Sequence, residues 1–432
     1  MSFSITNIKA SHSLHASHSI SCSIPFALHR LIGDHFFLGK DAGSIDDHWG
    51  IGSLSKTFIA TLILQYVDEG LLDLEAKVPE MLPPDVLNTS QAYGDVTLYQ
   101  LLSMTSGVPD FFNDPKGLLA DVFSDPELEF TLQDIVDAAI ATGPVQPPGT
   151  GGYSSTNYVV LQEIAERVGG KSANDLYRER IYGPLGMSLT DTVLPPRNGN
   201  SIVPQPRSEA TLTSKCNDEF AAFGFNATEE GYSIGDPITE IASASIDVAG
   251  AAGSMWTKLN DMLIWTKSGT GSSLLSDEMA AKRLEWTDIG GFPSRHYGMG
   301  THTIFMYPAA DDPPDNIFSS YWGHSGEAFG YESMAGHDAE SGGSFFVATT
   351  SCGMELGVSV SLFTSYLNAL SKAEAAVANS TSPTSEAPTP AAGAGTELPV
   401  GEGDNNGDTT SSANLSLPTV SMYLLIIILG LL

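Results

Sequence analysis

Positive charge is what this chain has least of: 19 Lys and Arg stand against 51 Asp and Glu, a formal net charge of −32. A polyphosphate would be repelled over most of such a surface, and no basic run interleaved with aromatics offers an exception. Nucleic acid is therefore excluded as a partner. Cysteine is also scarce. Cys22, Cys216 and Cys352 lack the C-x-x-C spacing of a zinc or redox site and allow at most one disulfide within the chain. No H-E-x-x-H run occurs, and His12, His15 and His18 lie in a Ser-rich start, so no metal and no other cofactor is expected. Residues 1–30 lack the basic start and unbroken apolar stretch of a signal peptide. No internal period is present either, which excludes a solenoid or propeller.

What is there in quantity is core-forming material: 42% hydrophobic residues, with 5 Trp, 14 Tyr and 19 Phe. Between about Asp41 and Lys372 helical and strand-like segments alternate, punctuated by Gly and Pro. The spacing predicts helices over Leu62–Gly70, Leu101–Ser106, Tyr158–Arg167 and Asn174–Ile181, a strand over Ser344–Thr350 and a last helix over Val358–Ala373. That alternation gives an α/β or α+β layered fold. Four segments follow: an atypical, disordered N-terminus over 1–25, a folded domain over 26–373, a disordered Ser/Thr/Pro/Ala/Gly-rich stalk over 374–416, and an apolar tail over 417–432.

The tail ends in MYLLIIILGLL with no basic residue after it. With a polar spacer before it, this is the pattern of a glycosylphosphatidylinositol signal, attachment falling at Asn405, Asn406 and Gly407 or at Ser411–Ala413. A retained hydrophobic anchor is the competing reading, although the run is short for a bilayer core of about 30 Å. Either places the protein at the cell surface or outside the cell, associated with membrane through the tail. The N-x-S/T sequons at Asn88, Asn226 and Asn379, with a fourth at Asn414, are glycosylation candidates in that setting.

Ser53-Leu54-Ser55-Lys56, in the phrase IGSLSKTF, opens a stretch with Phe58, Ile59, Leu62, Ile63, Tyr66 and Val67 at helical spacing. Residues three apart share a helix face, so the Lys56 amine falls beside the Ser53 hydroxyl and, if desolvated, can take its proton. Alone, S-x-x-K is weak, because a Ser-rich chain supplies it by chance. Further along lie VTLYQLLSMTSGVPDF from Val96, PPGTGGYSSTNYVVLQEIAERVGG from Pro147 and WGHSGEAFGYES from Trp322.

In this order the four segments resemble the serine β-lactamase and penicillin-binding-protein superfamily, in particular its class C branch of esterases, D-aminopeptidases and transacylases. The resemblance covers most of the folded domain and implies an antiparallel sheet flanked by helices, with a mainly helical subdomain. It makes Ser53 the nucleophile, Lys56 its amine partner, Tyr153 the tyrosine of Y-x-N and His324 the residue in the place of the K-T-G lysine. Backbone N–H groups of Ser53 and Glu327 would form the oxyanion hole, with Ser155, Ser325 and Gly326 lining the substrate site. The implied chemistry has a Tyr153 phenol of lowered pKa sharing the general-base work with Lys56. Leu101–Asp110 would shape the cleft edge without a chemical part. Tyr366-Leu367-Asn368 matches Y-x-N literally but follows the H-S-G element.

Two departures narrow the expectation. Ser155 replaces the Asn of Y-x-N, with Asn157 two residues on, and His324 replaces a fixed cation. Both turn the site from β-lactams towards small esters, amides or peptides. A serine hydrolase forming an acyl-enzyme on Ser53 is the leading expectation, and a catalytically silent surface homologue that binds ligands or partners is the alternative.

Overall fold

The computed structural model describes residues 46–114, 117–125, 128–196, 207–238, 247–290, 296–304, 321–338, 344–350 and 352, together with the backbone of five strands outside these ranges. The Asn379 and Asn414 sequons, the 374–416 stalk, the Val358–Ala373 helix, Cys22 and Tyr366-Leu367-Asn368 lie outside the described residues. The chain divides into two units, Met1–Phe363 with Tyr423–Leu432, and Thr364–Met422; the described residues all belong to the first.

An antiparallel sheet forms one layer. Its order is Leu28–Arg30, His35–Leu38, Leu425–Gly430, Ser344–Thr349, Tyr331–His337, Trp322–Ala328, His302–Thr303, His296–Tyr297 and Thr287–Asp288. Trp322–Ala328 and Tyr331–His337 form a hairpin across the two-residue turn Phe329-Gly330, where Gly330 takes a φ of 82° that glycine adopts at no steric cost. All of Ser344–Thr349 is buried, as expected of a strand inside a layered fold. A second, separate hairpin joins Ser2–Ile5 to His18–Ser21, within the stretch expected to be disordered. The apolar run Leu425–Gly430 of the expected tail, with three consecutive isoleucines, stands between Ser344–Thr349 and His35–Leu38.

Helices cover the sheet. Ser55–Asp68 is buried nearly all round, so it serves as the central helix rather than a half-exposed one. Phe58 on that helix stacks on Trp265 of the Leu259–Lys267 helix at 3.8 Å between ring centroids, and the Trp265 indole N–H donates to Thr57 Oγ1 at 2.9 Å. The expected helix at Leu101–Ser106 is Leu98–Leu102 instead: Thr97 and Gln100 form a capping box at its start, and Met104 at φ 59° breaks it. Ser155–Gly169 is the helix expected around Tyr158, closed by left-handed Gly170.

Two long-range ties hold these layers. Cys216, on the helix Ser214–Ala222, is disulfide-bonded to Cys352 just beyond the Ser344–Thr349 strand. Arg283 is fully buried, has no carboxylate partner among the described residues, and donates instead to Met299 O (3.1 Å), Thr61 Oγ1 (3.0 Å), Thr270 O (2.9 Å) and Thr57 O (3.3 Å). Burial lowers its pKa to about 10, so it remains a cation at neutral pH. It thereby fastens the central helix to the hairpin segment that carries Tyr297 and His302.

Candidate active site

Ser53 sits in the single 3-10 turn Gly52–Leu54 that leads into the central helix. Gly52 has φ +50°, and a β-carbon there would fall 2.4 Å from Glu327 O and 2.6 Å from Glu327 N. Only glycine lets the turn lie flat on the Trp322–Ala328 strand. Gly326 is required from the other side, since a β-carbon on it would lie 1.9 Å from Ile51 O. Ser333 Oγ donates to the same carbonyl at 2.8 Å. This close docking brings the Glu327 peptide beside the Ser53 turn.

Lys56 is fully buried, and its Nζ donates to Ser53 Oγ at 2.9 Å and to Ala252 O at 2.6 Å. The amine also lies 5.0 Å from the centre of the Tyr153 ring and 5.7 Å from that of Tyr158. Burial lowers its pKa to about 7, against the opposing pull of Asp110, so an appreciable fraction is neutral near pH 7.

Tyr153 keeps part of its surface open and shares a hydrogen bond with Ser53. Its pKa is pushed well above 10 by burial, which outweighs the Ser53 hydrogen bond. The expectation of a phenol with lowered pKa is therefore corrected. The negative charge of Asp110 and the neighbouring Tyr158 push in the same direction as burial.

His324 is buried in the strand. Its Nδ1 is bonded to the Ser325 carbonyl, so Nδ1 carries the proton, and Nε2 accepts from the Tyr297 hydroxyl at 2.9 Å. Burial, His302 and Lys56 hold its pKa well below 6.5. His302 behaves alike: Nδ1–H donates to Thr303 O at 2.8 Å, Nε2 accepts the Ser325 N–H at 3.1 Å, and burial lowers its pKa to about 4. The two imidazoles meet edge to face at 4.6 Å between centroids, both neutral, and together they occupy the N–H and the C=O of Ser325.

Ser155 opens the Ser155–Gly169 helix, and its backbone N–H donates to Asp110 Oδ2 at 3.0 Å. Burial raises the Asp110 pKa, against the hydrogen bonds of Ser155 and Phe112 and the charge of Lys56, which hold it down. Asp110 also accepts the Phe112 N–H at 3.1 Å, and its charge acts on both Lys56 and Tyr153. Asp110 thus belongs to the site's electrostatics, which the expectation of a purely shaping role for Leu101–Asp110 missed. Asn157 turns away: its Oδ1 accepts from Ser106 Oγ at 2.9 Å and lies 3.5 Å from the Tyr93 hydroxyl.

The structure therefore brings Ser53, Lys56, Tyr153, Ser155, His324, Ser325, Gly326 and Glu327 together, and adds Asp110, Ala252, Tyr297 and His302. Asn88 is exposed, Asn226 half-buried, and both sequon side chains accept hydrogen bonds from the Ser or Thr two residues on. Among the described residues no three His, Cys, Asp or Glu side chains converge as a metal site.

Comparison with known proteins supplies the lineage. Over 153 residues the chain is 34% identical to penicillin-binding protein 4 of Amycolatopsis lactamdurans, covering 35% of this chain and 38% of that one. It is 32% identical over 145 residues to a D-aminopeptidase of Cereibacter sphaeroides, covering 33% of this chain and 26% of that one. The chain thus spans well under half the length of these relatives. A crystal structure of a D-stereospecific amidohydrolase from a Streptomyces species superposes with a TM-score of 0.54 at 27% identity, covering 70% of this chain and 82% of that one. The Beta-lactamase family profile matches residues 44–378, the span that carries every site residue named above, and the chain belongs to that family.

Proposed function

We propose that this chain is a serine hydrolase that cleaves small amide, peptide or ester bonds through an acyl-enzyme on Ser53. The observation that carries the reading is the 2.9 Å contact of Ser53 Oγ with an amine whose pKa burial has lowered to about 7. A neutral amine at that distance is a base within reach of its proton.

In this reading neutral Lys56 takes the Ser53 proton as Oγ attacks the substrate carbonyl. The negative charge on the tetrahedral oxygen is met by the backbone N–H groups of Ser53 and Glu327, a kind of contribution worth about 3–4 kcal/mol per donor. Tyr153, which keeps its proton throughout the neutral range, hands it to the departing amine or alkoxide and recovers one from the Lys56 ammonium through the Ser53 side. Water then repeats the sequence on the acyl-enzyme, losing its proton to Lys56 and releasing the acid as Ser53 is reprotonated.

His324 takes no charge-bearing part in this scheme. Both its ring nitrogens are used inside the protein, so the position offers a substrate carboxylate neither a cation nor a free donor. A leaving group without a carboxylate, as in an amino acid amide or an ester, fits such a wall. The relatives named for D-aminopeptidase and amidohydrolase activity support amides and peptides as the class.

Display outside the cell belongs to the same proposal. The Cys216–Cys352 disulfide suits an oxidising compartment and the composition of the run 417–432 suits lipid anchoring, although anchoring would remove from the sheet the strand that Leu425–Gly430 contributes to it. Of the two sequons among the described residues, Asn88 is the more exposed and is the one proposed to carry a glycan. Among the described residues no helix is long and apolar enough to cross a membrane. Release of the protein from cells by a phosphatidylinositol-specific phospholipase is expected, and retention would exclude the lipid anchor. Hydrolysis of alanine p-nitroanilide by the wild type and its loss in Ser53→Ala tests the chemistry.

A further inference from the structure

Met104 stands in a position that usually holds glycine. The Leu98–Leu102 helix closes where the Thr105 N–H donates back to Gln100 O at 2.9 Å, and Met104, just before Thr105, takes the left-handed φ of 59° that this closure requires. Glycine meets that requirement at no steric cost, as Gly170 and Gly186 do at two other helix ends of the chain. A side chain held in this conformation is strained, and such strain persists where the surrounding structure uses it.

The use lies at Tyr153. Met104 is fully buried, its carbonyl accepts the Gly152 N–H at 3.0 Å, and its Sδ accepts the Ser154 N–H at 3.3 Å. One residue therefore holds the backbone on both sides of Tyr153. Further upstream the same segment accepts the Gly149 N–H at Thr105 O and the Gln146 N–H at Gly107 O, both at 2.8 Å, but these are main-chain contacts open to any residue. Gly151 and Gly152 are exposed and bring no side chain to fix the loop. From this hold the Tyr153 ring lies 5.0 Å from Lys56 Nζ and 6.2 Å from the His324 ring, centre to centre. A leucine at 104 would fill the same space and leave the Ser154 N–H without its acceptor.

We propose that Met104 is a positioning residue for proton transfer to the leaving group: its thioether, presented by a strained backbone, fixes the Tyr153 loop so that the phenol reaches the departing atom. Met104 is closed off from solvent and acts only through Tyr153. Its contribution therefore depends on the leaving group. An alkoxide needs the phenol's proton to depart, whereas p-nitrophenoxide leaves as a stable anion without it. The proposal rests on Tyr153 as the proton donor of the acyl-transfer scheme, and its test separates the two.

The experiment compares kcat/KM of the full chain for ethyl butyrate and p-nitrophenyl butyrate, which share one acyl group and differ in their need for that proton. Tyr153→Phe sets the pattern, with a loss of about 10²–10⁴-fold on the ethyl ester and a far smaller one on the p-nitrophenyl ester. Met104→Leu is expected to repeat the pattern on a smaller scale, about tenfold on the ethyl ester and within about twofold on the p-nitrophenyl ester. Should leucine not fold in the left-handed position, Met104→Gly relieves the strain, keeps the carbonyl and reads the same ratio. No change on either ester would overturn the proposal, and so would a loss by one common factor on both, the mark of a fold effect alone. Fluorophosphonate labelling of Ser53, in which fluoride leaves without a proton, assigns the failure. With labelling intact and Tyr153→Phe selective, an unselective Met104 variant counts against Met104 only. Without labelling, or with both esters spared in Tyr153→Phe, the acyl-transfer scheme falls and the proposal with it.

Discussion

Two walls of the same cleft are equally buried and behave in opposite ways. On one side Lys56 is enclosed against Ser53, Tyr153 and Ala252 O, and its pKa comes to rest at about 7. On the other, His324 is enclosed against His302 and Tyr297, and its pKa is driven well below 6.5. Desolvation disfavours the cation in both cases. The first difference is where each group starts: an amine lowered from 10.5 comes to rest near 7, whereas an imidazole lowered from 6.5 leaves the physiological range altogether. The neighbours widen the gap, since the Asp110 carboxylate pulls Lys56 back up while His302, Lys56 and Arg283 push His324 further down.

The comparison breaks first at the switchable wall. Replacing Lys56 by Met removes the base, and kcat is expected to fall by about 10²–10⁴-fold, measured by steady-state hydrolysis of a reactive ester. His324→Gln keeps a neutral polar group and is expected to cost far less than Lys56→Met; a loss as large would give His324 a direct chemical part. Between the walls lies the docking of Gly52 on Glu327. Gly52→Ala forces a β-carbon into the Glu327 peptide, and a loss of about 10²-fold or more in kcat with KM little changed is expected, as when an oxyanion donor is displaced.

The pH dependence sharpens the same contrast. Lys56 works as the neutral amine, so kcat/KM should climb as pH rises through about 7, and Tyr153, held well above 10, imposes no fall in the neutral range. Because Asp110 raises the Lys56 pKa, Asp110→Asn should move that rising limb to lower pH. His324→Gln should move it little, since His324 carries no charge there. The smallest effect on the chemistry is expected far from both walls. Cys216→Ser breaks the tie to Cys352 and should lower stability by about 2–5 kcal/mol in chemical unfolding while leaving kcat in place.

Residue types made part of this site legible in the sequence and backbone contacts hid the rest. Ser53 and Lys56 are three apart across the 3-10 turn that enters the central helix, so their contact follows from local geometry, and Tyr153 and His324 follow in order. The Lys56 contact with Ala252 spans 196 positions and ends on a carbonyl that every residue possesses, so nothing in the sequence marks it. His302 is an isolated His in Gly298-Met299-Gly300-Thr301-His302, and it matters because it accepts a backbone N–H across the sheet. Gly52 reads as a flexible entry to a helix, but its real constraint is the strand lying against it. In the fold, the central helix and the Ser344–Thr349 strand are visible as apolar patterns. The early stop at Leu102 depends on one left-handed residue, Met104, that no periodicity reveals.

The account turns on Ser53 being activated by a Lys56 that loses its proton near neutrality. The rate of fluorophosphonate adduct formation, followed by intact mass against pH and located by peptide mapping, reads both parts at once. The expected result is an adduct on Ser53 whose rate of formation rises through about pH 7 in the wild type, is slow and flat with pH in Lys56→Met, and is absent in Ser53→Ala. An adduct that persists in Ser53→Ala, or a rate in Lys56→Met equal to that of the wild type, would contradict it.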